Sequence, residues 1–229
     1  MQIRLITCLL ITFFNSHHLY SDSNGSVLPE IKKISDGVFE FGGVKIEKSK
    51  KTVSIPAISN QINGLVEYGL VHEDGKIHES LFRTKISPQV FHTSLLLLKF
   101  EPVNSFFDNL WSENPKEIDY SDHCFDIVVF WELNGTNYRS SIEELSINQT
   151  RKSSVTQKSF IFTGSRMVEG TFIAESTGSI LAIYADDNAI LNNSHYDSTN
   201  DDVWIANKKK MPPLEFPVNI RFHLPQKMN

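Results

Sequence analysis

The stretch "GLVEYGLVHEDGKIHESLF", residues 64–82, concentrates the reactive side chains of this chain. His72 and His78 flank Glu73, Asp74 and Glu79, and His92 follows within the next segment. Imidazole and carboxylate together can bind zinc, with a carboxylate or carbonyl orienting the free ring nitrogen. The metal candidates are therefore His78, His92 and His72, with a nearby carboxylate. The spacing itself is weak, because His78-Glu79 lacks the second histidine of H-E-x-x-H. Asp74-Gly75 reads as a hairpin turn between two strands, with glycine taking positive φ. A two-residue loop sets His72 opposite Ile77, and a three-residue loop with a bulge sets it opposite Lys76. In neither register do His72 and His78 face each other. His78 reaches His92 only if a helix carries His92 onto its face.

A second acidic group, Asp186-Asp187-Asn188 with Asp197, Asp201 and Asp202, offers oxygen ligands of the kind calcium takes. It lacks the EF-hand pattern, and Asp and Asn also serve as turn formers. Thr163-Gly164-Ser165 is not a G-x-S-x-G elbow, and Ser80 beside His78 is only a chain neighbour. Cys124, next to Asp122-His123, suggests a Cys–His pair, but such partners meet through the fold rather than in sequence. The plainer reading is a half-buried core thiol. No P-loop or dinucleotide fingerprint is present. The residues point away from catalysis and leave the catalytic set unknown.

These side chains must be held by strands and one helix. "VFEFGGVKIEK" and "TVSIPAI" read as strands flanking a turn at Ser49-Lys50-Lys51, Val53, Ile55 and Ala57 alternate with polar residues, and Pro56 suggests an edge strand. "ISPQVFHTSLLLLKF" is a helix over 87–99, with Ser87 as N-cap, Pro88 in its first turn and an apolar face of Val90, Phe91, Ser94, Leu95, Leu97 and Leu98. "CFDIVVFWELNGTNYRS" is a hairpin with Phe125, Ile127, Val129, Trp131 and Leu133 on one face and a type I′ turn at Asn134-Gly135. Ser141-x-x-Glu144 fits a capping box. "SFIFTGS" and "TFIAESTGSILAIYAD" read as strands with a turn at Thr177-Gly178, "DDNAIL" as one helical turn, and "FPVNIRFHL" as a final alternating strand. The pattern predicts an α+β fold: β-rich, with a mainly antiparallel hairpin sheet, one main helix near 87–99 and one or two short helices.

Arg4, the apolar run Leu5 to Phe14 and the small-x-small site Ser21-Asp22-Ser23 read as a signal peptide over 1–23. A lead-in over 24–36 and a single domain over 37–225 follow. No other run approaches the roughly 20 apolar residues of a transmembrane helix. The formal charge is −5 with the signal, and cleavage removes one base, Arg4, and one acid, Asp22. That balance argues against nucleic-acid binding, and Lys208-Lys209-Lys210 reads as a solvated loop. After cleavage only Cys124 remains of the two cysteines, so no internal disulfide staples the chain.

"GLVEYGLVHEDGKIHESLFRTKISPQVFHTSLLLL", followed in order by "FIFTGS", "GTFIAESTGSILAIYADDNAILN" and "PVNIRFHL", resembles the YdjY-domain family of bacterial exported proteins. The similarity runs from Val38 to Leu224. It implies an extracytoplasmic bacterial protein of largely uncharacterised function. Some members carry an iron–sulfur or ferredoxin-like label. Such clusters need several thiolates, usually four, and this mature chain offers one. No residue inherits that role, and no cofactor is predicted; zinc or calcium is the chemistry the residues leave open. The expectation is a periplasmic or extracellular, non-catalytic binding or structural domain of the cell envelope, with a protein or glycan partner. The alternative is a metal-binding protein or metal-dependent enzyme using the histidines of residues 64–92.

Overall fold

The computed structural model describes residues 28–225, so the proposed signal peptide lies outside the described residues. The first hairpins are β1 (Ile31–Ser35), β2 (Val38–Phe41) and β3 (Val44–Glu47), leading antiparallel into the long strand β4 (Thr52–Ser59). Residues 31–35, read from sequence as lead-in, thus form a paired edge strand, although every residue in it is exposed. Period-two alternation could not reveal a strand that buries neither face.

β4 forks the sheet. Along one side it pairs with β16 (Pro217–His223) over its whole length. Along the other, Thr52 to Ser54 pair with β3, and Ile58 and Ser59 pair with β6 (Ser80–Thr84). Pro56 is therefore not on an edge strand. The Ser59 N–H points to β16, donating to Phe216 O at 2.9 Å, so alternation turns the Pro56 nitrogen to the opposite side. There the β3 ladder has ended and the β6 ladder has not begun, and the Pro56 carbonyl accepts from the Thr84 hydroxyl at 2.7 Å. The missing donor leaves no ladder bond unmade.

From β6 the sheet continues through β5 (Tyr68–His72), β13 (Ser179–Ala182), β14 (Leu191–Asn193) and β10 (Phe160–Phe162). On the other side β16 pairs with β7 (Asp126–Leu133), whose hairpin partner is β8 (Thr136–Ser141). The two arms meet: Cys124 bridges Ile161, and the Phe125 N–H donates to Phe160 O at 2.8 Å. Eight strands thereby close into a ring around Phe82, Leu70, Leu181, Phe160, Phe162, Phe125, Ile127, Ile220 and Phe222, all fully buried. Closure removes sheet edges, leaving the β1–β3 hairpins and β8 as branches. Two short pairs complete the strands: β9 (Ser146–Asn148) with β15 (Trp204–Ala206), and β11 (Met167–Val168) with β12 (Thr171–Phe172).

The main helix, α1 (Pro88–Leu97), lies across the ring. Its Phe91 ring sits 4.8 Å from Phe222 of β16, and its His92 ring 5.3 Å from Phe162 of β10. Val90, Phe91, Ser94 and Leu95 are buried as the pattern predicts, while Leu97 is exposed. Ser87 caps the helix, its Oγ accepting from the Val90 N–H at 3.3 Å. Glu175 of the short helix α3 (Ile173–Thr177) adds a second cap, accepting from the Gln89 N–H at 2.8 Å and the Ser87 hydroxyl at 2.9 Å. A carboxylate at a helix N-terminus also meets the positive end of the helix dipole. Helix α3 replaces strand that the sequence suggested before the turn at Thr177-Gly178, and Gly178 ends it in the left-handed conformation. Helix α2 (Ser105–Leu110) places Phe106 in a second cluster with Tyr120, Cys124 and Ile161. The fold is α+β with strands predominant, and its sheet is mixed but mostly antiparallel.

The largest correction concerns residues 64–82. β5 and β6 are parallel neighbours, with Tyr68 opposite Ser80 and His72 opposite Thr84, so they form no hairpin. Residues 73–79 return along the strand through a single 3-10 turn at Ile77–Glu79. The step is feasible because the paired strand spans only about 13 Å, within reach of seven extended residues. β13 and β14 repeat the device through residues 183–190. Gly75 does not take positive φ. It is small because a Cβ there would lie 2.8 Å from Thr177 O and 3.0 Å from Gly178 Cα.

Candidate functional site

The three histidines are carried on separate elements. His72 ends β5, half-buried, with Nδ1 accepting from the Asp74 N–H at 3.3 Å and 3.5 Å from Asp74 Oδ2. His78 lies in the 3-10 turn, its side chain 78 % exposed, with Nε2 3.6 Å from Glu79 Oε2. His92 sits between the Phe162 and Phe172 rings, 5.3 and 4.9 Å away, where burial lowers its pKa. Among the described residues, no three His, Cys, Asp or Glu side chains gather into a group that could hold a metal.

The two acidic stretches do meet, through residues that sequence reading passed over. Tyr68 of β5 donates to Asp186 Oδ2 at 2.5 Å, and Lys76 Nζ donates to the Tyr68 hydroxyl at 2.5 Å and lies 3.9 Å from Asp186. Asp186 Oδ1 accepts from the Asn188 backbone and side-chain amides at 2.9 and 2.8 Å. No helical turn forms here; the Asp186 side chain closes the turn instead. Asp187 pairs with Arg166 at 3.3 Å. Burial, and then the Asp186 carboxylate, hold the Tyr68 phenol far above its usual range, so it stays a donor. Both Asp186 oxygens are engaged, and the arrangement reads as a joint between the two parallel connections.

A cavity of about 480 Å³ holds Cys124 together with Lys158, Ser194 and His195. His195, not the adjacent His123, is the imidazole that the fold brings to the thiol's cavity. His195 Nδ1 lies 3.1 Å from Asp197, which also binds Arg151. The Cys124 thiol donates to Tyr120 O at 3.2 Å, and burial pushes its pKa up to about 11. A thiol so protonated at neutral pH is a core group rather than a nucleophile.

The third region is an open cleft of about 600 Å³ between the β7–β8 hairpin and the loop after β15. Asn134 and Gly135, at φ 53° and 76°, form the I′ turn the sequence calls for. That turn sets Trp131 opposite Tyr138. Their rings stack 5.6 Å apart at 9°. Trp131 follows Ile127 and Val129 on the inward face and packs against the rim of the core, where it is only half-buried, and Tyr138 is 43 % exposed. The facing wall is Lys208-Lys209-Lys210 with Met211 and Pro212. The loop is pinned by Asn207, which donates from Nδ2 to Glu144 O at 2.8 Å, and by Lys210 on Glu144 at 2.9 Å. Glu144 therefore forms no capping box with Ser141; it accepts instead from the Ser140 hydroxyl at 3.0 Å. Lys208 and Lys209 have no carboxylate within 4 Å among the described residues. The lysines read from sequence as a solvated loop thus form one side of a cleft. The Trp131–Tyr138 pair was open to prediction, because a two-residue loop at Asn134-Gly135 fixes that register.

Fold and site together define a class: an α+β protein built on a closed ring of strands, with an open, basic cleft walled by stacked aromatics. The chain belongs to the YdjY domain family, whose model matches residues 44–223. Comparison with curated proteins and with solved structures finds no match. Among the described residues, no helix is long and apolar enough to cross a membrane.

Proposed function

We propose that this protein is a non-catalytic, exported binding domain of the bacterial cell envelope, and that its ligand is an anionic envelope component held in the cleft between Trp131–Tyr138 and Lys208–Lys209. The observation that carries this reading is the stacked, part-exposed aromatic pair facing two lysines that have no acidic partner among the described residues. The overall charge is −5, so a local basic patch marks where an anion is favoured against the field of the rest of the surface. Aromatic faces supply contact area at low conformational cost, and the open cleft admits part of a large molecule. The apolar run at 5–14, with Arg4 before it and Ser21-Asp22-Ser23 after it, supports export.

The test is co-sedimentation of the purified chain with isolated cell-envelope material. Binding is expected to fall as salt rises, and to drop about tenfold in a Lys208→Glu/Lys209→Glu variant, the loss of two charge contacts. Binding that ignores both salt and the variant overturns the placement of the site. Recovery of full-length, uncleaved chain in the cytoplasmic fraction of the native host overturns export.

A further inference from the structure

We infer that the cleft takes an acidic polysaccharide, a chain of sugar rings bearing carboxylate or phosphate groups; this rests on the reading of the cleft as the ligand site. Trp131 stacks nearly parallel on one face of Tyr138, which leaves the other face clear of that ring on a residue that is 43 % exposed. The face of an aromatic ring is electron-rich. It therefore attracts the polarised C–H groups of a sugar ring and repels a carboxylate or phosphate. The anionic group goes instead to the opposite wall, where Lys208 and Lys209 have no carboxylate within 4 Å among the described residues. Lys210 is engaged by Glu144 and fixes the loop rather than the ligand. The hairpin wall supplies a ring face, with Arg139 beside it as a further cation, and the lysine wall supplies charge, an arrangement that a ring carrying an acid satisfies.

The cleft volume of about 600 Å³ falls within the size range of ligand pockets, but its walls are polar as well as apolar, with Ser140, Glu144 and the lysine amines beside the rings. A polyhydroxylated ligand suits such walls better than an apolar one. An acidic peptide would meet the lysines but would leave the outer Tyr138 face without a matching group.

The test is calorimetric titration of the purified chain with four probes: hexagalacturonate, phosphorylated maltohexaose, unmodified maltohexaose and hexaglutamate. One or both acidic sugars are expected to bind at least about tenfold tighter than maltohexaose, a difference of about 1.4 kcal/mol. That binding is expected to weaken about tenfold in Tyr138→Ala and in Lys208→Glu/Lys209→Glu, and to persist in Tyr138→Phe. The two acidic arms separate carboxylate from phosphate recognition. Equal affinity for maltohexaose overturns the charge requirement. Hexaglutamate binding as tightly, and indifferent to Tyr138→Ala, makes the ligand a peptide and overturns the sugar assignment. If no sugar binds while envelope co-sedimentation still depends on Lys208 and Lys209, this inference falls and the binding-domain reading stands.

Discussion

Tyr68 and Asp186, 118 positions apart, meet through a single hydrogen bond of 2.5 Å, and Lys76 closes the group from the other side of the phenol. Tyr68 opens β5 and is fully buried, Lys76 belongs to the connection from β5 to β6, and Asp186 belongs to the connection from β13 to β14. The bond thus ties together two parallel connections that are unusually short for their kind. Tyr68→Phe leaves the Asp186 carboxylate, with a side chain only 10 % exposed, short of one donor. The expected loss is about 1–3 kcal/mol, the cost of stranding a buried polar group. Lys76→Met keeps the Tyr68–Asp186 bond and removes a part-exposed amine, so its expected cost is under about 1 kcal/mol. Urea unfolding of both variants checks the order. Equal losses would mean that the lysine carries the joint as much as the phenol does.

Gly75 and Gly178 are placed back to back. A Cβ on Gly178 would lie 2.8 Å from Gly75 Cα, and one on Gly75 would lie 2.8 Å from Thr177 O. The obstructing atoms are backbone, which cannot swing aside as a side chain can. Gly75→Ala is expected to cost about 1–3 kcal/mol, the range for forced overpacking. Gly178 also has φ of 72° as the C-cap of α3, so Gly178→Ala combines overpacking with left-handed strain. Gly135→Ala is the control: its φ of 76° is positive, but nothing lies within 4 Å of the added carbon. It should cost only about 1 kcal/mol, the conformational part alone. Thermal denaturation of the three variants separates close approach from backbone strain.

These two pairs show which parts of the molecule were legible in sequence. Local signals held where an element buries one face and turns in place. The α1 cap at Ser87, the Asn134-Gly135 turn, and the inward sets of β7 and β16 follow directly from residue type and spacing. The same local rules misread Asp74-Gly75, because a turn dipeptide does not say whether the chain folds back beside its own strand or travels on to start a parallel one. Closure of the ring by Cys124 and Ile161, and the fork at Pro56, depend on partners far along the chain. The chemistry followed the same division. Histidines close in sequence stayed on separate elements, while Tyr68, Lys76 and Asp186 assembled from a strand and two connections with no shared motif. Half of the cleft was readable, since the hairpin register gives Trp131 opposite Tyr138; that Lys208–Lys210 would face it was not.

Glu143 gives the fold a pH dependence of definite sign. It is buried, with Oε1 accepting from the Lys158 N–H at 3.0 Å, and burial raises its pKa to about 7. In the unfolded chain the same carboxyl ionises near 4.5. Below about pH 4.5 both states hold the proton and the group is neutral to stability. Between about 4.5 and 7 the unfolded state releases its proton first, so stability falls as pH rises, by at most about 3 kcal/mol. Above 7 the loss is complete. Glu143→Gln keeps an oxygen for Lys158 and removes the charge. It is expected to raise stability by about 1–3 kcal/mol at pH 8 and to change it little at pH 4. Denaturation midpoints of wild type and variant across this range should diverge upward through pH 4.5–7; parallel curves would show that Glu143 does not titrate in the folded chain.

Cys124 should behave as a core thiol despite sharing a cavity with His195. Its sulfur is buried against Tyr120, Ile161 and Phe106, and donates to Tyr120 O. With the pKa raised to about 11, only about one thiol in a thousand is ionised at pH 8, and the thiolate is the reactive form. Iodoacetamide should therefore label the Cys124 peptide at least about a hundredfold more slowly in native buffer than in 6 M guanidinium, where an unperturbed thiol ionises near 8.5. Following that peptide by mass spectrometry separates it from Cys8. If His195 activated the sulfur, the opposite would hold: labelling would be fast in the native chain, would persist below pH 7, and would slow in His195→Gln. The direction of the burial effect predicts slow native labelling that His195→Gln leaves unchanged, with the rate rising only as the ring of strands opens at its Cys124–Ile161 seam.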